Sequence, residues 1–216
     1  IEFEFADLAV SAQEMKALIR PNTRFVWIES PTNPLLKVID IQHAAEAAHS
    51  VGAQLIVDNT FASPIFQSPL SLGADIVMHS LTKYIGGHSD IIGGALMLNN
   101  DQLEEQLRFI QFAAGAVNAP LDCFLLLRSV KTLAIRMEAH QRNAFAVAEA
   151  LKGMSEFTSV IYPGLKDHPQ HEIAARQMSG FSGMVSVRLN GDFAQVTKFM
   201  QSLKVFSLAE SLGGVE

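Results

Sequence analysis

The fold of this chain is decided by the stretch His79-Ser80-Leu81-Thr82-Lys83-Tyr84-Ile85-Gly86-Gly87-His88-Ser89-Asp90, which follows a mostly apolar run over residues 74–78. The apolar run predicts a buried strand. Open α/β sheets bind ligands at the carboxyl ends of their strands, and the two glycines let the backbone approach a bound molecule closely. Lys83 is therefore predicted to lie at a binding edge, where partial burial makes a lysine a candidate for Schiff-base chemistry.

Two other interpretations of Lys83 have to be weighed. A lysine after a strand is most often a solvated surface charge. Ser80 and Lys83 also match the S-x-x-K pattern of penicillin-binding enzymes, but the chain contains neither K-T-G nor S-D-N. Because Ser80 ends a predicted strand and does not open a helix, the penicillin-binding interpretation is rejected.

A second strand end supports a functional role for Lys83. Residues 54–58 form a short apolar run that ends in Asp58, and the acid faces the same crevice as Lys83 if the two strands are neighbours. An aspartate beside a pyridine nitrogen keeps that nitrogen protonated, which makes pyridoxal phosphate an electron sink. Asp58, the hydroxyls of Ser80 and Thr82, and Lys83 thus supply a pyridinium partner, phosphate ligands and an aldehyde partner.

The composition of the chain limits the classes of protein to which it can belong. The chain has 216 residues, 49% hydrophobic and 18% charged, which is enough to bury a sizeable core. Its formal net charge of -6, without a Lys/Arg cluster, argues against a nucleic-acid surface. No apolar run approaches the length of a transmembrane helix. The single cysteine, Cys123, excludes an internal disulfide and favours the cytoplasm. We expect Cys123 to be a core residue on a buried helix.

The order of predicted elements indicates an α/β fold. Strand, helix and strand over residues 24–28, 41–51 and 54–58 form a βαβ unit, which implies a mostly parallel sheet. A helical pattern over residues 121–152 is expected to bridge a large domain, residues 1–134, and a smaller α+β domain, residues 135–216. The charges on this pattern are expected to form one solvated or inter-subunit face: Arg128, Lys131, Arg136, Glu138 and Arg142.

The histidines do not form a metal motif. His168 and His171 lie close together, but their spacing fits no zinc site and the chain has no H-E-x-x-H. We expect no metal site. The chain begins without a methionine and ends within an apparent motif, so we expect it to be a fragment of a longer polypeptide.

Several motifs together resemble one family. They are Glu29-Ser30-Pro31-Thr32-Asn33-Pro34, Val57-Asp58-Asn59-Thr60-Phe61, the stretch from His79 to Asp90, and Leu208-Ala209-Glu210-Ser211-Leu212-Gly213-Gly214. In this order they resemble the Cys/Met-metabolism family of pyridoxal-phosphate enzymes. The resemblance implies the PLP-dependent transferase-like fold (fold type I) with a smaller C-terminal domain, and a homotetramer built as a dimer of catalytic dimers.

The resemblance also implies roles for individual residues. Lys83 would bond the cofactor and move protons, Asp58 would hold the ring nitrogen, and Ser80 and Thr82 would hold the phosphate. Asn33 would lie against the ring hydroxyl and near the substrate; the alternative is an ordinary turn asparagine. Glu210 would bind the distal amino group of the substrate and Ser211 its carboxylate, although a solvated acid after a strand remains an alternative for Glu210.

The implied activity has several candidates. The resemblance favours cystathionine γ-lyases, which convert L-cystathionine to L-cysteine, 2-oxobutanoate and ammonia in transsulfuration. A cystathionine γ-synthase, which joins L-cysteine to an activated homoserine ester in methionine metabolism, is the first alternative, followed by cystathionine β-lyase and methionine γ-lyase. A hypothesis from another class is an α/β module that binds a phosphorylated ligand without chemistry.

Overall fold

The computed structural model describes residues 1–215 as an α/β arrangement with a second, smaller sheet. The helices are α1 Ala12–Leu18, α2 Ile41–His49, α3 Ser63–Phe66, α4 Asp101–Ala114, α5 Pro120–Ser129, α6 Leu133–Lys152, α7 His171–Gln177 and α8 Phe193–Ser202. The strands are β1 Phe25–Glu29, β2 Gln54–Asp58, β3 Ile76–Ser80, β4 Gly94–Met97, β5 Phe157–Ile161 and β6 Ser186–Leu189.

The larger sheet has four strands in the order β1-β2-β3-β4. Strands β1, β2 and β3 are parallel, with Glu29 paired to Asp58 and Asp58 paired to Met78, whereas β4 runs antiparallel to β3. Because parallel strands end at the same edge, this register brings the last residues of β1, β2 and β3 together. The mostly parallel α/β fold predicted from the sequence is confirmed.

Helices α1 and α2 cover this sheet and begin where capping residues predict. Ser11 and Glu14 form a capping box at the start of α1. Asp40 caps α2 by accepting a hydrogen bond from the His43 N–H. Alanines on the buried face of α2 let the helix lie close to the sheet, against buried side chains such as Met15 and Leu55.

A buried amide network joins the strand ends. Asn59, which is fully buried, donates through Nδ2 to the carbonyls of Ser63 and Gln67 at 3.2 and 2.9 Å. Gln67 in turn donates through Nε2 to the Ser30 carbonyl and to Asn59 Oδ1, both at 2.8 Å. Since Ser30 follows β1 and Asn59 follows β2, the network holds the two strand ends in a fixed relation.

The predicted continuous helix over residues 121–152 is wrong. A short 3₁₀ turn, Val130–Thr132, separates α5 from α6. Thr132 has φ -108° and ψ 2°, and its hydroxyl donates to the Ser129 carbonyl at 3.1 Å. Side-chain hydrogen bonds of this kind compete with the helical ladder, and the sequence pattern contains no Gly or Pro at this point to reveal the break.

Two further expectations on these helices are also wrong. Cys123 is exposed and free, because the face of α5 that carries it is not packed against the described residues. Arg136 is not on a solvated face: it is 9% exposed and lies on the buried side of α6 with Leu133 and Met137. The spacing of Arg136 from these two apolar residues was the signal that would have placed it inside.

The C-terminal part contains the antiparallel pair β5-β6 and helix α7. Ala174 of α7 packs with Val38 and Ala62. Arg176 forms an ion pair with the buried Asp40. Gln177 donates through Nε2 to the carbonyl of Ile39 and to Gln67 Oε1, both at 3.0 Å. The amide network therefore extends into residues beyond 135, and the division into domains at residue 135 stays a prediction.

No metal-binding group and no membrane-spanning helix is found within the described residues 1–215. No cluster of three or more His, Cys, Asp or Glu side chains could hold an ion there. No helix in this range is long and apolar enough to cross a membrane.

The amide network makes a prediction about stability. Asn59→Leu removes the side-chain donor to the buried Ser63 and Gln67 carbonyls and the acceptor of one Gln67 Nε2 hydrogen bond, so we expect the free energy of unfolding to fall by about 2–4 kcal/mol. The exposed Asn143, changed to Leu, is the control and should alter it by less than about 0.5 kcal/mol. Urea unfolding of both variants measures the difference, and equal effects would contradict a role for the network.

Candidate active site

Lys83 lies in a tight turn, Leu81–Ile85, that follows β3 directly; we call it the lysine turn. The Gly86 N–H donates to the Leu81 carbonyl at 2.8 Å and the Gly87 N–H donates to the Lys83 carbonyl at 2.7 Å. The first of these bonds spans five residues, so the turn is wider than an α-helical turn. Lys83 itself has non-helical backbone angles, φ -91° and ψ -129°, within the turn.

Asp58 is connected to the lysine turn through Thr60. Asp58 Oδ1 accepts a hydrogen bond from the Thr60 N–H at 2.9 Å. The Thr60 hydroxyl oxygen accepts one from the Ser80 N–H, also at 2.9 Å. Asp58 at the end of β2 and Ser80 at the end of β3 are thereby brought to one edge of the sheet, as the sequence predicted if the strands were neighbours.

The two hydroxyls predicted to hold a phosphate differ in their surroundings. Thr82 Oγ1 accepts the Gly93 N–H at 3.1 Å and lies 3.4 Å from the Gly93 carbonyl, so it helps to hold the start of β4. The half-buried Ser80 hydroxyl has no protein hydrogen-bond partner within residues 1–215. Ser80 is therefore the more available donor of the two.

The segment over residues 208–215 covers the lysine turn. Lys83 Nζ donates to Ser211 Oγ at 3.1 Å. Gly213 has φ +84°, and a Cβ at this position would lie 2.6 Å from the Tyr84 backbone nitrogen, so only glycine permits this approach. Leu212 packs against Tyr84 and the other buried side chains around the turn. Ser211 thus contacts Lys83, and Glu210 is exposed beside it.

Asn33 is linked to this edge only through Glu29. Its side chain is exposed, and its N–H donates to Glu29 Oε2 at 3.0 Å. Glu29 is the strand partner of Asp58. Burial raises the pKa of the Glu29 carboxyl, the Asn33 hydrogen bond opposes this, and the charge of Asp58 raises the pKa further.

His79 is a residue of the site to which the sequence assigned no role. Its ring is 2% exposed, and Nε2 lies 3.4 Å from Asn59 Nδ2. Burial lowers the pKa of His79 to about 4, although the nearby Asp58 charge partly opposes this. The ring is therefore neutral at neutral pH and leaves the charge of Asp58 uncompensated. The three residues before His79 in β3 are all apolar, so periodicity along the strand gave no signal that His79 is buried.

A groove of about 590 Å³ lies elsewhere. Its lining includes Lys152 and Asp167, which pair with each other at 2.9 Å, and Lys37, which pairs with Asp7. None of the residues described above lines it. Three of its charged side chains are thus already paired, and neither Asp58 nor Lys83 belongs to it.

The residues at the sheet edge fit pyridoxal phosphate. Asp58 has one carboxylate oxygen fixed by Thr60, and its other oxygen can accept from a protonated ring nitrogen. Ser80 offers a hydroxyl donor for a phosphate, and Lys83 offers a primary amine held only by a hydroxyl. An acid, a hydroxyl and an amine at neighbouring strand ends are the donor set that this cofactor requires.

The chain is similar to proteins of one family. The sequence profile of the family described as Cys/Met metabolism PLP-dependent enzyme matches residues 1–216. The cystathionine gamma-lyase of Dictyostelium discoideum is 56% identical over 216 residues, which is 100% of this chain and 56% of the relative. The cystathionine gamma-synthase of Mycobacterium tuberculosis (strain ATCC 25618 / H37Rv) is 55% identical over 200 residues, 93% of this chain and 52% of that relative.

Solved structures agree with these relatives. The crystal structure of metB from Corynebacterium glutamicum superposes with a TM-score of 0.95 at 49% identity, covering 98% of this chain and 55% of that one. The chain therefore spans about half the length of the relatives it matches. The PLP-dependent enzyme fold predicted from the sequence is confirmed by these matches.

The depressed pKa of His79 predicts a pH effect. Between about pH 6.5 and pH 4 the unfolded chain binds a proton that folded His79 does not, so stability falls as the pH falls through this window. We expect His79→Gln to remove up to about 1.4 kcal/mol per pH unit of this slope. Urea unfolding at pH 6.5 and at about pH 4.5 measures it. His140 and His168 are present in both proteins, so their contributions to the pH dependence cancel in the comparison. Identical slopes of the free energy of unfolding against pH in the wild type and in His79→Gln would contradict the prediction.

Proposed function

Because the chain belongs to the Cys/Met metabolism family of pyridoxal-phosphate-dependent enzymes, we propose that Lys83 bonds the cofactor and that the whole protein cleaves carbon–sulfur bonds in cystathionine. The observation that carries the proposal is the link from Asp58 through Thr60 to Ser80, which lies directly before the lysine turn. This link supports a single site that contains the acid and the amine together.

Each residue of the site has a distinct part in the proposed reaction. Pyridoxal phosphate, when bound, supplies an electron sink for the electron pair left when the substrate's Cα–H bond breaks. Asp58 keeps a proton on the ring nitrogen, and neutral His79 leaves its charge available for this. The Lys83 amine takes the proton from Cα; for a γ-elimination it has to pass that proton on before it can take a second one from Cβ. Ser211 holds that amine between these positions.

The binding of the phosphate and of the substrate involves the remaining residues. Ser80 donates to the phosphate, and Thr82 does so by turning its hydroxyl away from the Gly93 carbonyl. Asn33 approaches the cofactor ring from the end of β1. Ser211 lies near the substrate carboxylate once the Lys83 amine no longer donates to the Ser211 hydroxyl. Glu210, exposed next to Ser211, is suited to bind the distal ammonium group of cystathionine.

We favour cystathionine γ-lyase activity, which releases L-cysteine, 2-oxobutanoate and ammonia. A γ-synthase activity, in which L-cysteine replaces the ester group of an activated homoserine, is the second candidate because γ-synthases are as similar in sequence as γ-lyases. Product analysis with cystathionine alone, and with an O-acylhomoserine plus cysteine, separates the two.

The assembly and compartment proposed for the whole protein are those of the family: a cytoplasmic homotetramer. Large apolar side chains on α4 and α5 are exposed in the single chain, among them Phe109, Phe112, Leu121 and Phe124. Burial of such side chains between subunits would support the assembly.

The cofactor assignment is tested by chemical labelling of the full-length protein. We expect borohydride reduction followed by digestion and mass spectrometry to show a phosphopyridoxyl group on the peptide that carries Lys83. Lys83→Ala should lose the label and all turnover of sulfur amino acids while it still binds the phosphate ligand.

The exposed Lys166 provides a control, because Lys166→Ala should leave the label in place. A folded protein that is labelled on another lysine, or on none, contradicts the assignment. Retained phosphate binding with no amino-acid turnover in the wild type would support the non-catalytic binding module.

The role of Glu210 is tested by Glu210→Gln. Loss of a charge-assisted hydrogen bond should lower kcat/KM for cystathionine by about tenfold to hundredfold. A substrate that lacks the distal amino group should react equally well with the wild type and with Glu210→Gln. Glu138→Gln, a change of an exposed acid on α6, is the control. Equal losses of kcat/KM for the two substrates would show that Glu210 does not bind the distal ammonium group.

A further inference from the structure

Arg136 is a buried cation without an acidic partner. It is 9% exposed, and none of the ion pairs within residues 1–215 includes it. A buried guanidinium stays charged, and leaving it without oxygen ligands would cost several kcal/mol. The oxygen atoms that accept hydrogen bonds from Arg136 therefore identify the segments that it holds in place.

The partners of Arg136 are mainly backbone carbonyls of the lysine turn and of the end of α5. Nη1 donates to the Tyr84 carbonyl at 2.5 Å. Nη2 donates to the Ser129 carbonyl at 3.1 Å and to the Ile85 carbonyl at 3.4 Å, and Nε donates to Thr132 Oγ1 at 3.1 Å. Tyr84 and Ile85 follow Lys83 directly, so the guanidinium fixes the two peptide groups on its C-terminal side.

Gly87 permits this contact. It has φ +68°, and a Cβ at this position would lie 2.2 Å from Arg136 Nη1. Any other residue would displace the guanidinium and would also be strained in this backbone conformation. Ser129 reinforces the contact, because its hydroxyl donates to the Gly86 carbonyl.

The lysine turn is thus held on two sides. From the junction of α5 and α6, Arg136 binds the Tyr84 and Ile85 carbonyls, and Ser129 binds the Gly86 carbonyl that follows the turn. On the other side, Gly213 of the C-terminal segment lies close to the backbone of Lys83 and Tyr84. The Lys83 amine extends from this turn to Ser211. A rotation of the Tyr84 and Ile85 peptide groups would move the Lys83 backbone and, with it, the amine.

We propose that Arg136 is a positioning residue for Lys83: its guanidinium holds the Tyr84 and Ile85 carbonyls and thereby directs the lysine amine into the site. The inference rests on the proposed function of Lys83. The guanidinium donates to oxygens of the protein itself, so Arg136 acts on the site through the lysine turn. A displacement of about 1 Å at a reacting group can cost about a hundredfold in rate, so the amine's position is sensitive to this contact.

The test uses Arg136→Lys, which keeps the charge but loses the fork of donors, in the full-length protein. Arg142→Lys, an exposed change on the same helix, is the matched control. In the cofactor-free protein we expect the amides of Gly86 and Gly87 to exchange with solvent about tenfold faster or more, while amides of β2 are unchanged. In the cofactor-loaded protein, kcat should fall about tenfold to hundredfold with little change in KM.

A spectroscopic readout separates positioning from mere stability. The pH titration of the visible absorbance of cofactor bound through Lys83 should shift in Arg136→Lys and stay unchanged in Arg142→Lys. If Arg136→Lys does not fold, Ser129→Ala is the milder substitute. It should also increase the hydrogen exchange rates of the Gly86 and Gly87 amides.

Two results would overturn the proposal. One is unchanged exchange at Gly86 and Gly87 in the variants, and the other is a uniform loss of protection over the whole chain with an unshifted absorbance titration. Failure of the proposed function is distinguishable from both, because it would appear in the wild type as the absence of cofactor on Lys83. The exchange measurement needs no cofactor.

Discussion

The site depends on the parallel register of three strands. Pairing of Glu29 with Asp58 and of Asp58 with Met78 brings the ends of β1, β2 and β3 to one edge. Strand β2 is buried at Leu55, Ile56 and Val57 in succession, as in a sheet covered on both faces. A slip of β2 against β3 by one residue would separate Asp58 and Thr60 from Ser80. The apolar side chains that set the register therefore also set the geometry of the polar groups.

Buried polar groups then define the site in detail. Asn59, His79 and Arg136 lie in surroundings of low dielectric, where a hydrogen bond is strong and an unmatched polar group is costly. Their bonds link strand ends, the lysine turn and helix junctions that are far apart in the sequence. Apolar side chains of the same size could fill this space, but they would not hold the lysine turn in one orientation. Neutral His79 keeps the Asp58 charge uncompensated, which suits an acid that must stabilise a protonated ring.

Local patterns in the sequence predicted the elements whose causes are local. The strand that ends in Asp58 and the strand before Lys83 were both predicted from adjacent residues. The break at residues 130–132 was missed, because it arises from hydroxyl–carbonyl bonds and from contacts with the lysine turn. Arg136 was assigned to the surface by its charge, and Cys123 to the core by its apolar neighbours; in each case the packing of the whole helix, and not the residue type, decided the outcome.

The sequence by itself determined the α/β class, the strand ends that carry Asp58 and Lys83, and the motifs of the family, because these follow from periodicity and from residue types at short spacing. Only the tertiary structure decided which groups meet. The contact of Lys83 with Ser211, 128 positions away in the chain, and that of Arg136 with Tyr84 depend on packing between distant segments. The neutral state of His79 depends on burial, which short-range pattern alone does not specify.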